Sequence, residues 1–182
     1  YTLVDYNRAG VPLLEIVTEP DFRGAEEVRA FLAKLEEVLA YLGVFDPSRD
    51  GSLRVDANLS VVEHDAESAD IDEAALEAAN RTEVKNISSH KGAEKALSYE
   101  AQRQKNAIKR GTDVAQETRH WDETRGITVS MRSKEEEKDY RYFREADLPP
   151  LEVADWTDRI EIPELPDARR ERFQAEYDLS AE

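Results

Sequence analysis

Ten consecutive residues, 52–61, alternate strictly between polar and apolar side chains. The apolar members are Leu53, Val55, Ala57, Leu59 and Val61, and the polar residues between them are Arg54, Asp56, Asn58 and Ser60. A period of two sends alternate side chains to opposite faces of a strand, so this segment needs one covered face and one open face. The alternation therefore predicts a sheet that is packed on one side only.

Helical patterns on either side of this strand supply elements that could cover the sheet. Apolar residues recur at helical spacing over 25–42, and a serine at 88 or 89 can cap a second helix that runs to about 110. Other elements are expected as strands over 11–18, 82–87, 114–121, 127–133 and 139–143, and as a helix over 166–177. Because strands and helices mix without a regular βαβ alternation, we predict an α+β fold with a mostly antiparallel sheet and packed helices.

The composition excludes several classes of protein. The 182 residues include 25 Lys and Arg, 41 Asp and Glu, and no cysteine, which gives a formal net charge of −16. A disulfide scaffold and thiolate catalysis are excluded, and no apolar run approaches the ~20 residues that cross a bilayer. Eight Lys against 17 Arg favours a halophilic source, where salt screening means that acidity does not exclude a nucleic-acid partner. The chain begins at Tyr1 and its single methionine is Met131, so we expect a piece of a longer protein.

Glu15 stands within the apolar run 11–18, which we interpret as a buried strand that ends before Pro20. A buried carboxylate is costly unless it is paired, hydrogen-bonded or bound to a metal. From the residues alone, two interpretations stay open: a structural ion pair with an arginine such as Arg8, and a ligand role.

Oxygen donors and a lysine are expected on polar strand faces. Asp56 and Asn58 lie at i and i+2, which suits Mg²⁺, because this ion takes few protein carboxylates and keeps its waters for phosphate. The alternative is a plain solvent face. Glu83 and Lys85 share a face of the strand 82–87, where a lysine directed at phosphate and a cross-strand salt bridge are both open.

Basic and aromatic residues are interleaved further along the chain. The group comprises Arg132, Lys134, Tyr140, Arg141, Tyr142, Phe143 and Arg144. Such a pattern suits contact with phosphates and stacking on bases, with pairing to neighbouring acids as the alternative. His64, His90 and His120 lack metal-ligand spacing and are interpreted as surface residues. Neither a Walker loop nor a dinucleotide glycine fingerprint is present, so any ATP site must be of another kind.

Several of these segments resemble one family, the B-type subunits of the tRNA-dependent amidotransferases, in the family's order and over most of the chain. The segments are LVDYNRAGVPLLEIVTEPD (3–21), GSLRVDANLSV (51–61), EVKN (83–86), QETRHWDETRG (116–126), VSMRSKEEEKDYRYF (129–143) and DLPPLEV (147–153). Together with the acidic composition, the resemblance implies a haloarchaeal source.

The resemblance implies an ATP-dependent carbon–nitrogen ligase. The B-type subunit of the family uses ATP and Mg²⁺ to phosphorylate the side-chain carboxylate of Glu-tRNA(Gln) or Asp-tRNA(Asn), and ammonia then displaces the phosphate. The implied partners are the A-type subunit, which is a glutaminase, and the small C-type subunit, in a cytoplasmic complex. The implied fold is a cradle related to glutamine synthetase. We expect residues 1–155 to be the C-terminal part of that cradle, with an acidic insertion at 63–81, and 156–182 to begin a helical domain.

The matching motifs also imply roles for individual residues. Glu15 and Asp56 match family positions near the metal and the ammonia path, so they are the expected metal ligands and catalytic residues. Lys85 is a third catalytic candidate. The expected cofactor-binding residues are Asn58, Glu83 and Arg141. Because an upstream cradle segment of the family is absent from this chain, the piece alone should be inactive.

Three rival interpretations remain. The E-type subunit of the archaeal amidotransferase shares these motifs, but no large inserted domain is seen here, which favours the B type. A non-catalytic tRNA-binding scaffold gives no reason for the carboxylates of Glu15 and Asp56. A purely structural acidic domain is disfavoured by the specificity of the motifs. The chain departs from the family at Arg144 and Ala146, where proline is usual, and in the insertion 63–81.

Overall fold

The computed structural model describes residues 3–7, 10–49, 51–63, 73–133 and 146–180. In chain order, the elements are α1 (Ala25–Tyr41), β1 (Val55–Leu59), α2 (Glu73–Ala78), β2 (Thr82–Ile87), α3 (His90–Lys109), β3 (Glu117–Asp122), β4 (Ile127–Ser133), α4 (Ala154–Thr157) and α5 (Pro166–Tyr177). Within these ranges, no helix has both the length and the apolar character needed to cross a membrane.

The four strands form one mixed sheet whose spatial order, β1-β2-β3-β4, follows the order of the chain. β1 pairs antiparallel with β2, β2 pairs parallel with β3, and β3 pairs antiparallel with β4. A parallel neighbour needs a crossover connection, and α3 supplies it between β2 and β3. The α+β class is therefore confirmed with two antiparallel pairings and one parallel pairing, while the relation to the glutamine synthetase cradle stays a prediction.

Helix α3 packs on one face of the sheet and α1 packs on α3, and within the described ranges no helix covers the opposite, open face. Val84 and Trp121, at 0% and 2% exposed, form one buried cluster with Ala96 of α3. On β1, Ala57 is buried and Asp56 is exposed, as the alternation predicted. The polar side chains of β1 therefore lie on the open face.

The two long helices begin and end where capping chemistry predicts. α3 begins after Ser89, whose Oγ accepts a 2.9 Å hydrogen bond from the amide of Gly92. It is followed by Gly111, whose φ of 69° lies in the region that glycine adopts without strain. The predicted helices over 25–42 and about 89–110 are confirmed, with each end within one residue.

A buried ion network ties α3 to the sheet. The side chain of Glu100 is 0% exposed and accepts hydrogen bonds from Arg103 at 2.6 to 3.0 Å, from Gln104 at 3.0 Å and from Thr128 at 2.8 Å. Arg119 Nε lies 3.4 Å from the same carboxylate and donates to Thr128 Oγ1 at 2.8 Å. Burial opposes ionisation of Glu100, but the hydrogen bonds outweigh burial, so the pKa of this carboxyl lies below its ordinary value. The interior thus holds a charged carboxylate whose partners come from the helix and from two strands.

The segment 10–19 departs most from the predicted fold. It joins no strand among the described residues, and its side chains, including that of Glu15, are exposed. Leu13 is 93% exposed and Val17 is 82% exposed. The predicted strand over 11–18 and the predicted burial of Glu15 are therefore wrong, because an apolar run becomes a strand only where another strand pairs with it.

The acidic insertion and the C-terminal region give mixed outcomes. The end of the predicted insertion 63–81 forms the short helix α2, and the predicted strand 139–143 lies outside the described residues. The predicted helix over 166–177 is confirmed as α5. Two ion pairs join α5 to α1, Lys34 with Asp167 and Glu37 with Arg170. The domain boundary near 155 stays a prediction.

Candidate functional site

Six polar side chains from three neighbouring strands lie on the open face of the sheet, five of them at least partly exposed and one, Thr118, only 2% exposed. They are Asp56 and Asn58 of β1, Glu83 and Lys85 of β2, and Thr118 and His120 of β3. The register pairs Asn58 with Glu83, Glu83 with Thr118, and Lys85 with His120. Because paired residues of neighbouring strands point to the same face, the sheet itself gathers this group.

Lys85 lies between two carboxylates of this group. Its Nζ donates a 2.6 Å hydrogen bond to Asp56 Oδ2 and lies 3.0 Å from Glu83 Oε1. Partial burial opposes the charged ammonium, but hydrogen bonds to the two carboxylates outweigh it, so the pKa of Lys85 lies above its ordinary value. The cross-strand salt bridge is confirmed, and the role of Lys85 toward phosphate stays a prediction.

Two members of the face, Thr118 and His120, were missing from the predicted site. Thr118 Oγ1 donates a 3.0 Å hydrogen bond to Glu83 Oε2, so it positions a carboxylate that contacts Lys85. His120 is partly exposed, and its Nε2 lies 3.3 Å from Asn86 Nδ2. The alternation along β3 could have placed both residues on this face, whereas the spacing of the histidines could not.

At Asn86, near the end of β2, the regular alternation of side chains between the two faces of the sheet is interrupted. Its φ is 66°, in the left-handed region that residues other than glycine rarely adopt, and its Nδ2 donates a 3.1 Å hydrogen bond to the carbonyl of Trp121. Strict alternation would put Ile87 on the same face as Lys85, yet Ile87 is only 1% exposed and belongs to the core. The backbone at Asn86 therefore lets Lys85 stay on the open face while Ile87 enters the core.

The remaining predicted ligands do not join this group. Glu15 is exposed in the segment 10–19, and no contact joins it to Asp56 in the part of the chain that the structure describes. Arg141, expected to bind cofactor, lies outside the described residues, as does Arg8, the alternative partner for Glu15.

The open face offers suitable donors for ATP and Mg²⁺ without completing a metal site. The carboxylates of Asp56 and Glu83 and the amide oxygen of Asn58 are of the donor type that Mg²⁺ prefers, and the ammonium of Lys85 suits a phosphate. Across the described ranges, however, no three His, Cys, Asp or Glu side chains are grouped so as to hold a metal ion. These residues therefore fit as one part of a ligand set.

Comparison with known proteins gives a consistent result. The family model for the GatB/GatE catalytic domain matches residues 1–158. Three similar proteins, each named as the B subunit of an aspartyl/glutamyl-tRNA(Asn/Gln) amidotransferase, are those of Natronomonas pharaonis (79% identical), Haloquadratum walsbyi (74%) and Halobacterium salinarum (73%). Each match covers 100% of this chain and 37% of the relative, so the chain spans little more than a third of their length. The resemblance found in the motifs is confirmed, and the chain belongs to the GatB/GatE catalytic domain family.

Proposed function

We propose that this chain is part of a protein that amidates the side-chain carboxylate of Glu-tRNA(Gln) or Asp-tRNA(Asn). The observation that carries the proposal is Lys85, held between Asp56 and Glu83 on an open sheet face, in a chain whose relatives are named as amidotransferase subunits. In the complete cytoplasmic complex, the glutaminase, or A-type, subunit would release the ammonia, and the small C-type subunit would complete the assembly.

The chemistry of such a reaction suits these side chains. Activation of a carboxylate by phosphorylation requires charge neutralisation and positioning more than a covalent protein group. ATP, when bound, supplies the phosphoryl group that makes the carboxylate oxygen a leaving group for ammonia. Lys85 would place a positive charge beside the phosphate oxygens, and its two carboxylate partners hold that ammonium in position.

The proposed ligand set combines described and undescribed residues. Asp56 would offer an oxygen to Mg²⁺ beside Asn58 and Glu83, whose oxygens lie on the same face. Arg141 is proposed to contact the phosphates of ATP or tRNA.

Glu15 is the second proposed metal ligand. Because it lies in the exposed segment 10–19, this role requires the segment to approach the open face in the complete protein. Glu15→Gln keeps the size of the side chain and removes its charge. We expect this variant to lose amidation while the stability of the chain changes by no more than about 0.5 kcal/mol, because the side chain is exposed. Normal amidation by Glu15→Gln at low Mg²⁺ would remove Glu15 from the site.

The test of the proposed function uses Asp56→Asn in the complete complex. We expect the variant to lose ATP-dependent amidation of charged tRNA while glutamine hydrolysis and tRNA binding are retained. Asp113→Asn is the matched control, because Asp113 is exposed in the loop between α3 and β3. If the wild-type complex amidates neither charged tRNA, the proposed function is wrong; if only Asp56→Asn proves fully active, the site assignment is wrong.

A further inference from the structure

A basic cleft lies between α1 and the start of α3, away from the face that carries Lys85. It has a volume of about 680 Å³, and residues of the loop 45–53 line it as well. Among the described residues, its lining carries three permanently charged bases, Arg29, Arg49 and Lys91, against one carboxylate, that of Glu36. In a chain with 25 bases and 41 acids, this local excess of positive charge runs against the composition.

The first turn of α3 also runs against the usual placement of charge. A helix N-terminus favours acidic side chains, and α1 follows that rule with Glu26 and Glu27 in its first turn. The first turn of α3 contains no acid and begins with His90 and Lys91. An unfavourable local charge is expected where function requires it, and an anion bound beside this turn would reverse the sign of the effect.

The backbone of the same turn has donors to offer. The amide of Gly92 is already bonded to Ser89 Oγ, but the amides of His90 and Lys91 have no hydrogen-bond partner in the described ranges. The carboxylate of Glu123 approaches Gly92 from another side, where it accepts a 2.6 Å hydrogen bond from Trp121 Nε1. Two amides thus remain for a ligand in the cleft.

Some of the charges that line the cleft are engaged and others are not. Arg29 pairs with Glu94 at 2.9 Å on an exposed surface, and the half-buried His90 lies 2.5 Å from Glu36. Arg49 forms no ion pair with any described residue, although the more distant Asp46 attracts it. Lys91 is exposed and, within the described ranges, also has no ion-pair partner. No described carboxylate therefore pairs with either of these two cations.

A second cleft of about 550 Å³ adjoins the first and shares Arg29 and Lys91 with it. It adds Lys95, which follows Lys91 by four residues on α3 and so lies about one helical turn, roughly 5.4 Å, further along the axis. Lys95 has only a long contact of 3.7 Å with Glu123. This second lining also contains the carboxylate of Glu94, which pairs with Arg29. Because three bases face this one acid, positive charge still predominates along both clefts, which suits a ligand with several phosphates in a row.

We propose that the basic cleft binds backbone phosphates of an RNA strand, and this inference rests on the proposed function, in which the substrate is an aminoacyl-tRNA. The guanidinium of Arg49 can bind a phosphate through two parallel hydrogen bonds, and Lys91 adds a point charge beside it. The two amides of the α3 turn contribute further donors. Contacts of this kind position the strand without reading its sequence.

The experiment compares two double variants of the complete protein in its complex. Arg49→Ala with Lys91→Ala removes two basic side chains of the cleft that have no ion-pair partner among the described residues. Lys105→Ala with Lys109→Ala removes two exposed cations from the last turns of the same helix and serves as the matched control. Affinity for an uncharged tRNA(Gln) transcript is measured from 0.05 to 0.5 M KCl, together with the KM values for tRNA and for ATP.

The expected result is a loss of affinity for tRNA of about tenfold at the lowest salt, with a salt dependence shallower by roughly 2 in slope, since each lost phosphate contact removes about 1. The control variant should bind as the wild type does. Equal weakening in both variants would point to overall charge and overturn the proposal. An unchanged affinity for tRNA would also overturn it, as would a higher KM for ATP alone, which would assign the cleft to the nucleotide. In all these cases, amidation by the wild-type complex would leave the proposed function standing.

Discussion

The hydroxyl of Thr128 donates a 2.8 Å hydrogen bond to Glu100 Oε2, and this contact joins the last strand of the sheet to the middle of α3. The carboxylate is fully buried, so its charge depends on Arg103 from the helix and on Arg119 from β3. The space between α3 and the sheet is therefore held by an ion network as well as by apolar packing.

Glu100→Gln should lower the free energy of unfolding by about 3 kcal/mol, because removing one member of a buried ion network leaves its partners without counter-charge. Urea denaturation of the chain measures this change. Glu94→Gln is the control, since Glu94 pairs with Arg29 near the surface, and we expect it to cost no more than about 1 kcal/mol. Equal costs for the two variants would contradict the importance of the network.

The stability of the chain should fall in acid. The pKa of Glu100 lies below its unfolded value of 4.5, so its contribution is fully present above that pH and is lost as the pH falls through the folded pKa. The free energy of unfolding, measured by urea titration between pH 7 and 3, should therefore decrease below about pH 4.5. The decrease should be shallower in Glu100→Gln, and an identical slope in both proteins would show that other carboxylates govern it.

Lys85→Met should reduce the rate of amidation by the complete complex by about a hundredfold, because it removes a positive charge from the place where phosphate charge is expected. The stability of the chain should change little, since Lys85 and Asp56 are both partly exposed. Lys109→Met controls for the loss of one surface charge. A variant that amidates normally would leave Lys85 as a structural bridge between two strands.

Salt should stabilise the chain. At a net charge of −16, repulsion between surface carboxylates is poorly screened in dilute buffer. We expect the thermal midpoint to rise between 0.1 M and roughly 2 M KCl, a range over which the screening length falls from about 10 Å to below about 3 Å. A midpoint that is unchanged or lower in concentrated KCl would contradict adaptation to high salt.

We expect glycine to be the more stable replacement at Asn86 and alanine to be the more stable replacement at Asn58. At φ 66°, Asn86→Gly should be more stable than Asn86→Ala by about 1 kcal/mol, because only glycine adopts this conformation freely. Asn58 lies within β1 at an ordinary negative φ, so there alanine should be the more stable replacement. Denaturant unfolding of the four variants measures both differences. The same order at both positions would mean that the backbone at Asn86 is not left-handed.

Much of the fold could be predicted because its signals are local. The helices α1 and α3 follow from apolar spacing and from caps such as Ser89, and β2 occupies the predicted span 82–87. The pairing of strands, by contrast, depends on contacts between segments that are distant in the sequence. The residues of 82–87 and 117–122 do not indicate that these two strands run parallel, because their relative direction depends on where the intervening helix packs.

The part of the candidate site that depends on local strand alternation could be predicted from the sequence. The part that depends on contacts between distant segments could not. Asp56, Glu83 and Lys85 share a face because each strand alternates, and their mutual contacts follow from register. The burial of Glu15 was inferred from its apolar neighbours alone. A sequence records that a segment is apolar, but the surface that covers it belongs to another part of the chain.

The coincidence of strand order with chain order has a consequence for synthesis. As the polypeptide leaves the ribosome, β2, β3 and β4 each meet an already emerged neighbour as a pairing partner. Among the described strands, β1 waits only for β2, and the longest closure is the one across α3, which can form locally first. We therefore expect the unit from β1 to β4 to assemble vectorially, before α5 has emerged from the ribosome.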